Sequence, residues 1–217
     1  MADVALQRKN MVESQIRPSD VTDRRITAAM TAIPREKFLP ARLASLAYSD
    51  ESLTIAPGRE TLPPVVLAKL IQLAEFDAGD NVLVISESGY AAAVVAEMAK
   101  KVVALFADDQ AARAAAEALA SLAIGNVVAV SGAAASGWAA RAPYDVVLIE
   151  GGIEKIPDTI KDQIRENGRL VSIAINDKIG RAVVLHKRAS IFARRDAFQA
   201  AAPLISGFAE ARPAFVF

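Results

Sequence analysis

The sequence predicts a doubly wound α/β domain behind a helical N-terminal segment. Three observations carry this. From residue 80, apolar runs alternate with helical patterns. Several of those runs are apolar throughout, as strands are when helices cover both faces of a parallel sheet. The connections between them are short, which suits alternating strand and helix in one sheet. Strands are expected over NVLVIS (81–86), KVVALF (101–106), NVVAVS (126–131), YDVVLIE (144–150), GRLVSIAI (168–175) and RAVVLHKR (181–188). Helices are expected over GYAAAVVAEMAK (89–100), DDQAARAAAEALASLA (108–123) and IPDTIKDQIREN (156–167). Gly125 and Gly168 fall at the last two helix-to-strand breaks and read as C-terminal caps. The tail FQAAAPLISGFAEARPAFVF closes in a short aromatic strand, AFVF.

Ahead of this domain the pattern is helical. VALQRKNMVESQI (4–16) places Val4, Leu6, Met11, Val12 and Ile16 at a rough helical spacing, and Pro18, Ser19 and Asp20 stop it. DRRITAAMTAI (23–33) is a second amphipathic segment, ended by Pro34. Residues 34–64, rich in proline and turn formers, read as an ordered irregular connection. PVVLAKLIQLAEF (64–76) follows as a helix with Pro64 in its first turn, where proline is tolerated. Residues 1–79 are therefore expected as a helical extension packed on an α/β domain over 80–217, the two forming one structural unit.

Composition narrows the function. The chain has 217 residues and is 53% hydrophobic, enough for a sizeable core. Twenty-five basic and 25 acidic residues cancel, so no net field favours nucleic acid or a membrane surface. No apolar run approaches the ~20 residues of a membrane span. The N-terminal stretch has mixed charge and no apolar core, so a signal peptide is not expected and the compartment expected is the cytoplasm. There is no cysteine, which removes thiol nucleophiles and thiolate metal sites. The single histidine, His186, lies in an apolar strand near a sheet edge, without the partners that a triad or a metal site needs.

An open α/β sheet binds ligands beyond the carboxyl ends of its strands, where the strand order reverses. The loop after the first strand, SESGYAA, is the first candidate. A dinucleotide loop needs three glycines, and here only Gly89 is present. Ser86 and Ser88 carry a Cβ, which disfavours positive φ, and Glu87 would repel a phosphate. A cofactor cradle and a plain strand-to-helix connection both remain open. A nicotinamide enzyme is disfavoured by the same missing glycines. At the end of the second strand stand Phe106 and then Asp108 and Asp109, which either cap the following helix or reach a ribose. Tyr90 and Trp138 read as core aromatics or as the lining of a pocket.

Taken together, these segments resemble the protein-L-isoaspartate O-methyltransferase family across essentially the whole chain. MVESQI, AAMTAIPREKFLP with its Pro-Arg-Glu-x-Phe at Pro34–Phe38, and AYSDESLTI are similar to the family's N-terminal segment. VLVISESGYAAAVVAEMA is similar to the first methyltransferase motif. APYDVVLIEGGIEKIPDTIKDQIRENGRLVSIAI and FQAAAPLISGF are similar to the fourth and fifth strands and the closing segment. The resemblance implies a seven-strand, Rossmann-like, S-adenosylmethionine-dependent methyltransferase fold. It also implies methyl transfer to the α-carboxylate of isoaspartyl residues. That reaction asks for alignment and exclusion of water more than for a strong base.

The departures from the family pattern cluster at the site. Where the family has Gly-x-Gly-x-Gly-Tyr, this chain has Ile85-Ser86-Glu87-Ser88-Gly89-Tyr90. Phe106 stands at the ribose-binding acid. Gly132 is kept after the third strand, but Ala133 replaces an acid. In Gly58-Arg59-Glu60-Thr61-Leu62-Pro63-Pro64, Leu62 occupies the place of the active-site serine, with Thr61 one position away. Glu150, followed by Gly151 and Gly152, stands where substrate and methyl group meet, a poor neighbour for a carboxylate substrate. Two lost acids and an altered loop together cost ~4–6 kcal/mol, about a thousandfold or more in cofactor affinity. The resemblance thus implies a divergent member with a degraded S-adenosylmethionine site and weak or no catalysis. The alternative expectation is an active protein-repair methyltransferase. The partners implied are isoaspartyl-containing proteins or another protein, with the N-terminal helices as a surface.

Overall fold

The computed structural model describes residues 3–210. The strand expected over 214–217 lies outside the described residues.

The N-terminal segment begins with α1 (Val4–Met11), capped by Asp3, whose carboxylate accepts from Ala5 N at 2.9 Å. A π-turn over Val12–Ile16 and a 3-10 turn over Arg17–Ser19 continue it to Asp20, which takes a left-handed φ of 64°. α2 (Arg24–Ala32) is capped by Asp23 in the same way. Two 3-10 turns follow, at Arg35–Phe38 and Ala41–Leu46. The stretch expected to be irregular then folds into a hairpin of β1 (Leu53–Ala56) and β2 (Arg59–Thr61), turned through Gly58 at φ 70°. α3 (Pro64–Ala74) starts at Pro64 as expected.

The α/β part runs β3 (Asn81–Ile85), α4 (Tyr90–Ala96), β4 (Lys101–Phe106), α5 (Asp109–Ser121) and β5 (Val127–Ser131). It continues with β6 (Tyr144–Ile153), α6 (Asp158–Asp162), β7 (Ile164–Asn176), β8 (Ile179–Arg188) and β9 (Ile191–Gln199). These strands form one seven-stranded sheet in the order β5-β4-β3-β6-β7-β8-β9. The pairs from β5 to β7 are parallel, and β8 and β9 add antiparallel. The strand order reverses between β3 and β6.

Several expectations are corrected. The helix expected over 156–167 is the short α6, and residues from Ile164 onward join β7. The left-handed backbone expected at Gly125 and Gly168 falls instead on Ala123 (φ 56°) and Asn167 (φ 62°). Gly168 answers a packing demand: a Cβ there would lie 2.8 Å from Ile164 Cγ2 and 3.0 Å from the Asp145 carbonyl. β9 was not anticipated, because Arg194, Arg195 and Asp196 break any apolar alternation and most of the strand is exposed.

Both faces of the sheet are covered. On one, Val82, Val84, Ala104 and Val146 pack with α4, α5 and the N-terminal residues Met11, Ile16, Ile26 and Met30 in a single cluster. The extension and the sheet therefore share one core. On the other, Leu83, Ile85, Leu105 and Ile149 meet Ile160 of α6 and a closing strap that carries Ile205 and Phe208. That strap passes directly over β6. Gly152 N donates to Pro203 O at 2.7 Å and Ile205 N to Gly152 O at 2.9 Å. A Cβ at Gly151 would collide with Ile205, and one at Gly152 with Ile175. Among buried charges, Arg35 is 1% exposed. Its guanidinium donates to Thr61 Oγ1 at 3.1 Å and to the carbonyls of Leu62 and Ala47 at 2.9 and 3.2 Å. Burial pushes its pKa below the usual arginine value.

Candidate functional site

The strand order reverses at the carboxyl ends of β3 and β6, which is where an open α/β sheet presents its crevice. β3 ends at Ile85, and the next residues, Ser86 to Gly89, turn the chain into α4. Gly89 takes φ 92°, and a Cβ there would press on Ala115 at 2.9 Å, so glycine is required twice over. From β6, Glu150 rises beside this loop, 1% exposed.

The loop is held by the chain's own side chains. Ser86 Oγ donates to Glu150 Oε2 at 2.9 Å, and Glu87 N donates to the same oxygen at 3.2 Å. Gly89 N donates to Ser86 Oγ at 2.9 Å, and Tyr90 N to Ser88 Oγ at 3.3 Å. Three backbone N–H groups of the loop, at Glu87, Gly89 and Tyr90, are thus bound internally. In a cradle for a ligand such groups point at the ligand. Desolvation lifts the Glu150 carboxyl to about 7, against the opposing hydrogen bonds from Ser86 and Glu87.

Arg59, from β2, closes the mouth. Its Nε lies 2.9 Å from Glu87 Oε2, its Nη2 donates to the Glu87 carbonyl, and its Nη1 lies 3.3 Å from Asp108 Oδ2. Its side chain is 18% exposed and that of Glu87 13%. Burial raises the Glu87 carboxyl, and the Arg59 guanidinium partly offsets that rise. Two cavities flank this bridge. One, of about 230 Å3, lies over the ends of β3, β4 and β5 and is lined by Ser86, Leu105, Gly132, Ala133 and the strap. The other, of about 460 Å3, opens between the hairpin and the start of α5 and includes Phe38, Ser88 and Asp108. Arg59 and Glu87 line both.

The residues singled out from the sequence separate into those that meet here and those that do not. Ser86, Glu87, Ser88, Gly89, Asp108, Gly132, Ala133 and Glu150 come together at this crevice. Asp108 caps α5, accepting from Ala111 N at 2.8 Å, while its other oxygen faces Arg59. Phe106 does not intrude on the crevice. Strand alternation points Leu105 to the smaller cavity and Phe106 to the opposite face, where its ring lies under Gly89, 1% exposed. Tyr90 is likewise in the core, with its ring 5.9 Å from that of Phe38. Among the described residues its hydroxyl has no hydrogen-bond partner. Thr61 and Leu62 are both buried and line neither cavity. The Thr61 hydroxyl accepts from Arg35, and Leu62 packs in the core. Trp138 packs against Gly132, 3.6 Å from the position of a Cβ.

The sequence reading missed two features. Arg59 stands 28 residues before Glu87 and 49 before Asp108, too far for any local pattern to pair them. The strap over 203–207 carried no signal beyond its place in the closing segment. Among the described residues, no group of three or more His, Asp or Glu side chains could hold a metal ion. No described helix is long and apolar enough to cross a membrane.

Comparison with known proteins places these features in context. Residues 6–200 match the family model of protein-L-isoaspartate(D-aspartate) O-methyltransferase. Protein-L-isoaspartate O-methyltransferase 1 of Rhodopseudomonas palustris (strain HaA2) is 39% identical over 188 residues, covering 86% of this chain and 77% of that protein. A second R. palustris enzyme of that name (strain ATCC BAA-98 / CGA009) is 40% identical over 162 residues, 74% of each chain. A solved protein-L-isoaspartate O-methyltransferase superposes with a TM-score of 0.79 at 24% identity, over 92% of this chain. This chain spans 66% of that structure's length, just under two thirds. A Plasmodium falciparum structure, described as a beta-aspartate methyltransferase in complex with S-adenosyl-L-homocysteine, superposes with a TM-score of 0.76 at 17% identity. It is covered over 98% of its length. At these identities the two structures establish the shared fold.

Proposed function

The chain belongs to the protein-L-isoaspartate(D-aspartate) O-methyltransferase family, and from that premise we propose that its cofactor crevice is closed by its own side chains, leaving weak methyl transfer or none. The cofactor that family membership supports is S-adenosylmethionine. The residues at the crevice do not fit it well. The loop N–H groups of Glu87, Gly89 and Tyr90 are satisfied internally. β4 ends in Phe106, turned into the core, where a ribose would need an acid. The Ala133 side chain offers no hydrogen bond at the adjoining position.

The observation that carries the proposal is Arg59, whose guanidinium spans Glu87 and Asp108 across the mouth. Binding a ligand there means breaking both ion pairs and freeing the loop from Glu150. A buried Glu150 also stands badly for a carboxylate substrate, since two carboxyl groups in one dry site resist joint ionisation.

A second reading keeps the activity of the family, methyl transfer to isoaspartyl residues in protein repair. It draws on the 230 Å3 cavity, which still runs past Gly132 and Ala133 at the ends of three strands. One experiment separates the two. S-adenosylmethionine and S-adenosylhomocysteine are titrated calorimetrically, and the thermal midpoint is followed at millimolar ligand, which must rise if the native state alone binds. The closed crevice predicts no heat and no shift. Micromolar binding with methyl transfer to an isoaspartyl peptide would overturn it.

A further inference from the structure

The last hairpin of the sheet carries a charge imbalance inside a chain of zero formal net charge. Over β8 and β9 stand five cations, Arg181, Lys187, Arg188, Arg194 and Arg195, and one acid, Asp196. Asp196 is shared by Arg194 at 2.7 Å and Arg181 at 3.6 Å. Two acids reach the hairpin from neighbouring elements. Glu75 lies 4.0 Å from Arg195, and Glu166 accepts from Ala189 N at the turn. Even with these, five cations face three acids.

β9 is also the terminal strand. Among the described residues no strand pairs with its outer side. Seven of its nine residues are exposed, and Ile191 is 71% exposed. A terminal strand turns every second N–H and C=O outward as a template for pairing. From Ile191 to Asp196 its register with β8 is unbroken, and the shift that would bend the edge away comes only beyond Asp196.

The charges select among partners. A second copy pairing antiparallel about Arg195, the middle of β9, would set Arg195 against Arg195 and Arg194 against Asp196, so it brings a second surplus of positive charge to the edge and leaves both uncompensated. A nucleic acid needs cations free to track phosphates. Here Lys187 is tied down to the carbonyls of Lys161 and Ile164 at 3.2 and 2.7 Å, and Arg181 and Arg194 are both spent on Asp196. An extended acidic chain asks less of these cations: its backbone takes the outward groups, and its carboxylates need only the surplus left at Arg188 and at Arg195, whose one ion pair, with Glu75, is 4.0 Å long. We infer that the outer edge of β9, over Ile191–Asp196, docks an extended acidic segment of a partner protein by strand addition. This surface belongs to the opposite part of the sheet from the crevice and does not depend on whether cofactor binds.

The test uses the full chain and a fluorescein-labelled peptide of alternating valine and glutamate, about ten residues long. A lysine counterpart and a single-stranded DNA of similar length serve as controls. The acidic peptide is expected to bind saturably, at least about tenfold tighter than either control, and to weaken with salt. Hydrogen exchange at residues 191–196 is expected to slow on binding. The double variant Arg188→Glu/Arg195→Glu, with an unchanged melting curve, is expected to lose at least about tenfold in affinity. Absence of peptide binding would overturn the inference, as would binding without added protection at 191–196. DNA binding as tight as peptide would reassign the surface to nucleic acid. Outward amides of β9 already protected in the free protein would show that the chain covers its own edge, and the inference would fall.

Discussion

Arg59 Nε lies 2.9 Å from Glu87 Oε2, and this pair ties a two-stranded hairpin to the loop at the centre of a seven-stranded sheet. Neither side chain belongs to the parallel sheet itself. The mouth of the crevice is therefore set by a contact between an N-terminal appendage and a connecting loop.

Arg59→Ala is expected to lower stability by about 1–3 kcal/mol, since it removes charge-assisted hydrogen bonds from a partly buried carboxylate. It is also expected to bring S-adenosylhomocysteine binding into the calorimetric range where the parent chain gives no heat, a gain of at least about tenfold or roughly 1.4 kcal/mol. Chemical denaturation reads the first effect and calorimetry the second. An affinity equal to that of the parent chain would remove Arg59 from the closure.

Glu150 makes stability depend on pH. Its carboxyl titrates at about 7 in the folded chain against 4.5 in the ordinary state. The folded form holds its proton the longer, so its stability contribution is intact below about pH 4.5 and is lost as pH rises through about 7. The loss amounts to roughly 3 kcal/mol. Glu150→Gln keeps an acceptor for Ser86 and Glu87 and removes the titration. Urea unfolding of both proteins from pH 4 to 8 should show the variant gaining on the parent by about that amount. A difference that stays flat across this range would refute the assignment.

Phe106→Glu, which restores the acid of the family pattern, is expected to destabilise the protein rather than to rebuild a site. The ring lies in the core beneath Gly89, and an unpaired carboxylate there costs several kcal/mol. Phe106→Leu should cost only about 1–2 kcal/mol. If the glutamate variant melts with the parent and gains cofactor affinity, Phe106 faces the crevice after all.

Arg35→Met should be among the most damaging single changes. It strands the carbonyls of Ala47 and Leu62 in a dry interior and leaves the Thr61 hydroxyl only the 3.4 Å contact from Leu53 N, for a loss of about 3–5 kcal/mol. Thermal or urea unfolding checks it. A loss below about 1 kcal/mol would mean that water reaches these acceptors.

Much of this was legible in the sequence, for identifiable reasons. β3, β4 and β6 are short apolar runs buried on both faces, and that pattern admits few folds. Pro64 at a helix start and Asp108 as a cap are local chemistry, readable from neighbours alone. β9 and the β1–β2 hairpin were not readable, because exposed charged strands and a short strand pair take their conformation from tertiary pairing. At the site, serine rather than glycine at positions 86 and 88 is visible in the sequence. What those serines do is not: Ser86 bonds to Glu150, a residue far along the chain, and only the fold brings them together. Phe106 is expected at the crevice and its ring lies in the core instead, since one residue of strand alternation decides which face a side chain serves.

The strap over β6 sets an order of events. Gly151 and Gly152 lack side chains, and the space is taken by Ile205 and Ile175. The central strand therefore obtains its roof from a segment that follows all of the sheet's strands in the chain. A chain with β3, β4 and β6 already paired still exposes that seam to solvent until Pro203–Phe208 docks. Afterwards the same segment is the natural unit to detach first in partial unfolding, because Ile205, Phe208 and a few backbone bonds anchor it. Pro203–Gly207 line the smaller cavity, so the wall of the crevice is only as durable as the docking of this strap.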